Sequence, residues 1–239
     1  VEFAQSVALR LFSLAEMMSI GCILLGMFGI VKMWDEDKRR KKLIYLIIGI
    51  SSLMFAWFMK IQFLYVIGIL AVLLLIYLMW DIVKSKKITK NSLLIGLTSL
   101  LLTAILVGIY YEFWYLKYKE PFEYIMKNQA ENRFGFGIYF WNIVGENLTR
   151  YFSTQYVKPL WIAFLFALPI GIWTWIKADN KLFKRIFLFS LIWFIFELHK
   201  IAIHHVPSRY LLGGYVSMLV LTGTVLYGLC HLCMEGPPK

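Results

Sequence analysis

Apolar residues in this chain come in runs too long for the core of a soluble domain. Residues 11–31, 43–59, 61–80, 92–111, 160–176, 186–198 (continuing toward His204) and 210–232 form seven such runs. Each is close to the length that crosses a bilayer as an α-helix. The second and third are separated only by Lys60. Joined into one helix they would be about twice as long as a bilayer requires, so a tight turn is predicted near Lys60. The pattern therefore predicts an all-α integral membrane protein of about seven transmembrane helices. Residues 1–111 hold the first four, 112–158 form a long extramembrane segment, and 159–239 hold the last three.

Polar positions between the runs fix a direction. Loops 32–42, 81–91 and 177–185 carry six, four and four Lys/Arg residues. Seven spans place all three loops on one side. The Lys60 turn, the long segment and a basic cluster at 199–209 fall on the other. Short loops rich in Lys and Arg stay cytoplasmic, so the long segment and the cluster are expected to face outward.

Periodicity changes inside the long segment. Glu120-Pro121 suits a helix start, and Gly135 and Gly137 mark a turn. From 138 to 157, Trp141, Val144, Leu148, Tyr151, Phe152 and Tyr156 recur at helical spacing. Asn142, Glu146, Asn147, Arg150 and Ser153 lie off that face, which predicts an amphipathic helix along the membrane surface. Tyr115, Tyr118, Phe122, Tyr124, Phe134, Phe136 and Tyr139 add to an aromatic character that suits an interfacial belt, with stacking on sugar rings as the alternative. Asn147-Leu148-Thr149 is a glycosylation sequon in a eukaryotic secretory pathway.

Composition agrees with the pattern. Hydrophobic residues make up 60% of the chain, aromatic residues 18%, and the formal net charge is +11. The basic residues sit in short runs between apolar spans, which suits anionic lipid headgroups and argues against nucleic acid as a partner. Cys230-His231-Leu232-Cys233 has the spacing of redox and zinc motifs, but no second cysteine pair completes a zinc site, and small residues of a membrane helix are the plainer reading.

Candidate chemistry concentrates in 199–212, which holds three of the four histidines. Arg209 suits bidentate contact with a phosphate and Tyr210 a further hydrogen bond; both equally suit anchoring of a helix end among headgroups. Adjacent His204 and His205 point in different directions on a helix, so one of them as a polar lining residue is the modest expectation. Glu197, Lys200 and His204 share a helix face by spacing, with mutual neutralisation of Glu197 and Lys200 the favoured role. Lys60 suits snorkelling outward, and Glu16, near the start of the first span, suits pairing with Arg10.

The stretch from His199 through Pro207-Ser208-Arg209-Tyr210-Leu211-Leu212 resembles the last luminal or periplasmic hairpin of GT-C-fold glycosyltransferases, the superfamily of protein mannosyltransferases and aminoarabinose transferases. Gly49 to Lys60 resembles the small-residue helix ending in lysine that many of these enzymes show. Glu16, in Arg10-Leu11-Phe12-Ser13-Leu14-Ala15-Glu16, matches a position where the family has a second acidic residue. The resemblance implies transfer of a sugar, with inversion, from a polyprenyl-phosphate donor to a lipid, glycan or protein acceptor. It implies donor-phosphate contacts from Arg209, Tyr210, Lys60 and His205, and a cavity lined by Arg10, His204 and Lys200. Glu16 would help hold a divalent metal or orient the acceptor. The carboxylate base of the family's first outward loop is expected upstream of Val1, in a longer chain. The implied location is a bacterial or archaeal cytoplasmic membrane with the active side outward. A transporter or flippase of lipid-linked sugars, to which Pro169 and Gly171 in mid-span point, and a non-catalytic membrane subunit are the alternatives.

Overall fold

A computed structural model of the chain describes residues 2–60, 63–120, 123, 140–153, 158–202 and 211–235. Its helices are α1 (Glu2–Asp35), α2 (Arg39–Met59), α3 (Val66–Ser85), α4 (Lys90–Tyr110), α5 (Phe140–Ser153), α6 (Lys158–Lys177), α7 (Lys181–Glu197) and α8 (Leu212–Glu235). A π turn, Tyr111–Tyr115, continues α4, and a 3-10 turn, Leu198–Ala202, continues α7. No strand occurs among the described residues. Six helices are long and apolar enough to cross a membrane, within Leu14–Asp35, Arg39–Met59, Val66–Ser85, Lys90–Tyr115, Lys158–Lys177 and Leu212–Met234. The chain is thus an all-helical, multi-pass membrane protein.

The turn at Lys60 forms as the run lengths demand. α2 stops at Met59, Lys60 turns to extended backbone, and its N–H donates back to the Ala56 and Trp57 carbonyls. The sixth apolar run behaves differently from expectation. α7 has 17 residues and starts at Lys181, inside the stretch that the charges mark as a loop. Asn180 caps it, accepting from the Phe183 N–H at 3.0 Å. Lys181, Lys184 and Arg185 therefore belong to the first turns of a helix. The start predicted at Pro121 and the turn at Gly135 and Gly137 lie outside the described residues.

Two compact units divide the chain, Val1–Glu123 and Tyr124–Lys239. In the first, α1 and α2 pack backbone to backbone. A Cβ on Gly29 would lie 2.6 Å from the Gly49 nitrogen and 2.7 Å from its Cα. Lipid chains are as apolar as leucine, so close contact of this kind is what holds membrane helices together. One end of this unit gathers both of its basic loops. Trp34 stacks on Tyr77 at 6.1 Å, and the Lys42 ammonium lies 5.9 Å from the same ring. Asp81 at the end of α3 accepts from the Ser92 and Thr89 hydroxyls at 2.5 and 2.9 Å. The opposite end is aromatic, with Tyr110 set 4.2 Å from Trp57 and 5.4 Å from Phe58.

In the second unit α6, α7 and α8 close around Trp161, Phe164, Phe183, Phe187, Met218 and Val225. Pro169 sits inside α6, which runs unbroken from Lys158 to Lys177. Gly171 there serves packing, because a Cβ would meet Phe187 and Val225. The α6–α7 connection lies beside the later part of α8, where the Asn180 amide reaches the Tyr227 hydroxyl at 3.3 Å. α5 packs at the other end, against the 3-10 turn and the start of α6.

Candidate functional site

Among the described residues each unit buries one Glu–Lys pair, at the end away from its basic loops. In the first, the Glu16 carboxylate in α1 meets the Lys60 ammonium at the α2 terminus. Glu16 is 2% exposed and Lys60 14%. The antiparallel run of α1 and α2 explains the meeting, since both residues lie about a membrane's thickness from the short connection between the helices. An aliphatic stem lets Lys60 reach inward while its backbone ends the helix. The alternative partner for Glu16, Arg10, has no described side chain. One turn before Lys60, the Trp57 indole N–H is buried and has no hydrogen-bond partner among the described residues. A buried donor without an acceptor is costly.

The carboxylate of Glu16 does not fit a divalent cation. It is already engaged by an ammonium, which would repel one. Among the described residues no group of three or more His, Cys, Asp or Glu side chains assembles.

The second pair is Glu197 with Lys200, 2.6 Å apart and both buried. Spacing of i, i+3 put them on one face, and neutralisation by each other is what the structure shows. Gly213, in the first turn of α8, accommodates the carboxylate, because a Cβ there would stand 2.2 Å from Glu197 Oε1. A negative charge beside a helix N-terminus is also favoured by the helix dipole. Lys200 is therefore a buried ion-pair partner in the last turn before residue 203. His204, His205, Arg209 and Tyr210 lie outside the described residues.

One residue of this end escaped the sequence reading. Asn147, assigned by periodicity to the polar side of its helix, is buried and donates to the Ile201 carbonyl at 2.8 Å. Ile143 is buried beside it, whereas Trp141, on the apolar face expected to lie along the membrane surface, is 77% exposed. The face of α5 turned to the protein is thus set by Ile143 and Asn147. The Asn147 amide of the sequon is occupied in the folded chain. Tyr115 and Tyr118 stand among exposed rings after α4, with Tyr111 stacked on Tyr115 at 5.2 Å and Trp114 5.0 Å from Tyr118. No known protein family, curated protein or solved structure matches the chain.

Proposed function

We propose that the chain forms the later part of a GT-C-type glycosyltransferase, which takes a sugar from a polyprenyl-phosphate donor at the outer face of the membrane and passes it to a lipid, glycan or protein acceptor, with the catalytic carboxylate supplied by sequence preceding Val1. The observation that carries this reading is the meeting of Glu16 and Lys60, 44 residues apart in sequence, at one end of a membrane-embedded helix pair. Ionisable groups inside apolar helices are costly and mark sites of function. Lys60 sets an ammonium, held by Glu16, at this end of the helix pair, and Trp57 adds a buried N–H donor one turn away. A cation and a neutral donor at that depth suit a lipid phosphate, and the surrounding rings of Tyr110 and Phe58 suit the chain or sugar attached to it. Short basic loops at the opposite end support a cytoplasmic assignment for them, and so an outward site.

A binding measurement tests this reading without requiring turnover. The purified full chain in detergent is titrated with a short-chain polyprenyl phosphate and, separately, with the matching polyprenol. The phosphate should bind at least about tenfold more tightly, a difference of about 1.4 kcal/mol. Lys60→Ala should abolish that preference and Lys60→Arg should keep part of it. Equal binding of phosphate and alcohol, or an unchanged preference in Lys60→Ala, would refute the assignment.

A further inference from the structure

Three sulfur-bearing side chains share one exposed face at the end of the last helix. In α8, Cys233 and Met234 stand at i+3 and i+4 from Cys230, so each is a helix-surface neighbour of Cys230, with its Cβ about 5–6 Å from that of Cys230. Both thiols are free and exposed, and Met234 is 80% exposed. His231 and Leu232, between them in sequence, turn further inward. The third cysteine, Cys22, lies within α1 and is half-buried.

This spacing favours a bridging atom over a direct bond. A disulfide needs Cβ atoms about 3.5–4.5 Å apart, so closing one here would distort the last helical turn. A metal ion bound at about 2.3 Å from each sulfur spans up to about 4.6 Å between them, which side-chain rotation on an intact helix supplies. Two thiolates and a thioether are soft donors and select copper(I) among common cations; zinc would require a fourth ligand, and none stands on this face among the described residues.

We propose that Cys230, Cys233 and Met234 form a three-sulfur site for one copper(I) ion. Uptake forms two copper–thiolate bonds and one copper–thioether bond and releases the two thiol protons, leaving a site of net charge −1. That charge is placed favourably. The contact of Asn180 with Tyr227 sets the α6–α7 connection, with Lys177 and Lys181 on either side of it, at this end of the unit.

The test uses the purified full chain in detergent, reduced and kept anaerobic, titrated with copper(I) in competition with a chromophoric chelator. One equivalent should bind. Cys230→Ser and Cys233→Ser should each weaken uptake by roughly 100-fold, and Met234→Leu by about tenfold. Cys22→Ser should leave it unchanged. Apparent affinity should rise steeply with pH, because two protons leave. X-ray absorption of the loaded protein should give a shell of three sulfurs. Helicity of each variant, read by circular dichroism, should match the parent, as expected for exposed positions. Lack of stoichiometric uptake, uptake that survives either serine substitution, or a Met234→Leu protein equal to the parent would overturn the assignment.

Discussion

Glu197 and Lys200 carry opposite charges into a place where neither meets much water. Such a pair adds little net stability over apolar residues of the same size, but removing one partner strands the other. Glu197→Gln and Lys200→Met, taken singly, should each destabilise the protein by about 3–5 kcal/mol, while the double variant should recover most of the loss. Thermal unfolding in detergent, read by circular dichroism, checks this; single variants as stable as the parent would mean that the charges are solvated. Asn147 makes the opposite kind of contribution, through one directed bond. Asn147→Ala leaves the Ile201 carbonyl without its donor and should cost about 1–3 kcal/mol, with amide exchange at 198–202 accelerating before the global transition. These two cases also show what a sequence reveals about single residues. The Glu197–Lys200 pair was legible because i, i+3 neighbours on a helix meet whatever the fold does. Glu16 and Lys60 were each visible as anomalies, yet their pairing depends on how α1 and α2 align. Asn147 was misread because periodicity sorts side chains by polarity, whereas a buried carbonyl attracts a donor across the fold.

At the level of elements, run length and charge located the helices and the Lys60 turn well. They failed at α7, where lysines that resembled a loop ride the first turns after the Asn180 cap. Composition says that Gly26, Gly29 and Gly49 are small, but not that two of them touch. Because a Cβ on Gly29 would press on the Gly49 backbone, Gly29→Val should force α1 and α2 apart. The expected penalty is about 1–3 kcal/mol, possible to measure as a lower midpoint of thermal unfolding. Gly21, on the same helix with nothing within 4 Å of a Cβ, is the control: Gly21→Ala should leave the midpoint unchanged or raise it. If both substitutions behave alike, close approach is not what joins the pair.

For the whole molecule, the spacing of basic loops makes a prediction about sides. In a variant without native cysteines, single cysteines at Lys87 and Asp179 should resist an impermeant thiol reagent in intact cells, and one at Asn132 should react. Reversed labelling would invert the topology and remove the outward site. The same sidedness gives the buried Asn147 amide a further consequence. If the chain is made in a eukaryotic secretory pathway, the lumenal transferase and the docking of α5 compete for one nitrogen. Glycan occupancy then becomes a clock: it counts the molecules in which α5 was still undocked when the enzyme arrived. A charge at the buried Ile143, as in Ile143→Asp, should slow that docking and raise occupancy, so that a gel shift on newly made chains would read out a folding rate.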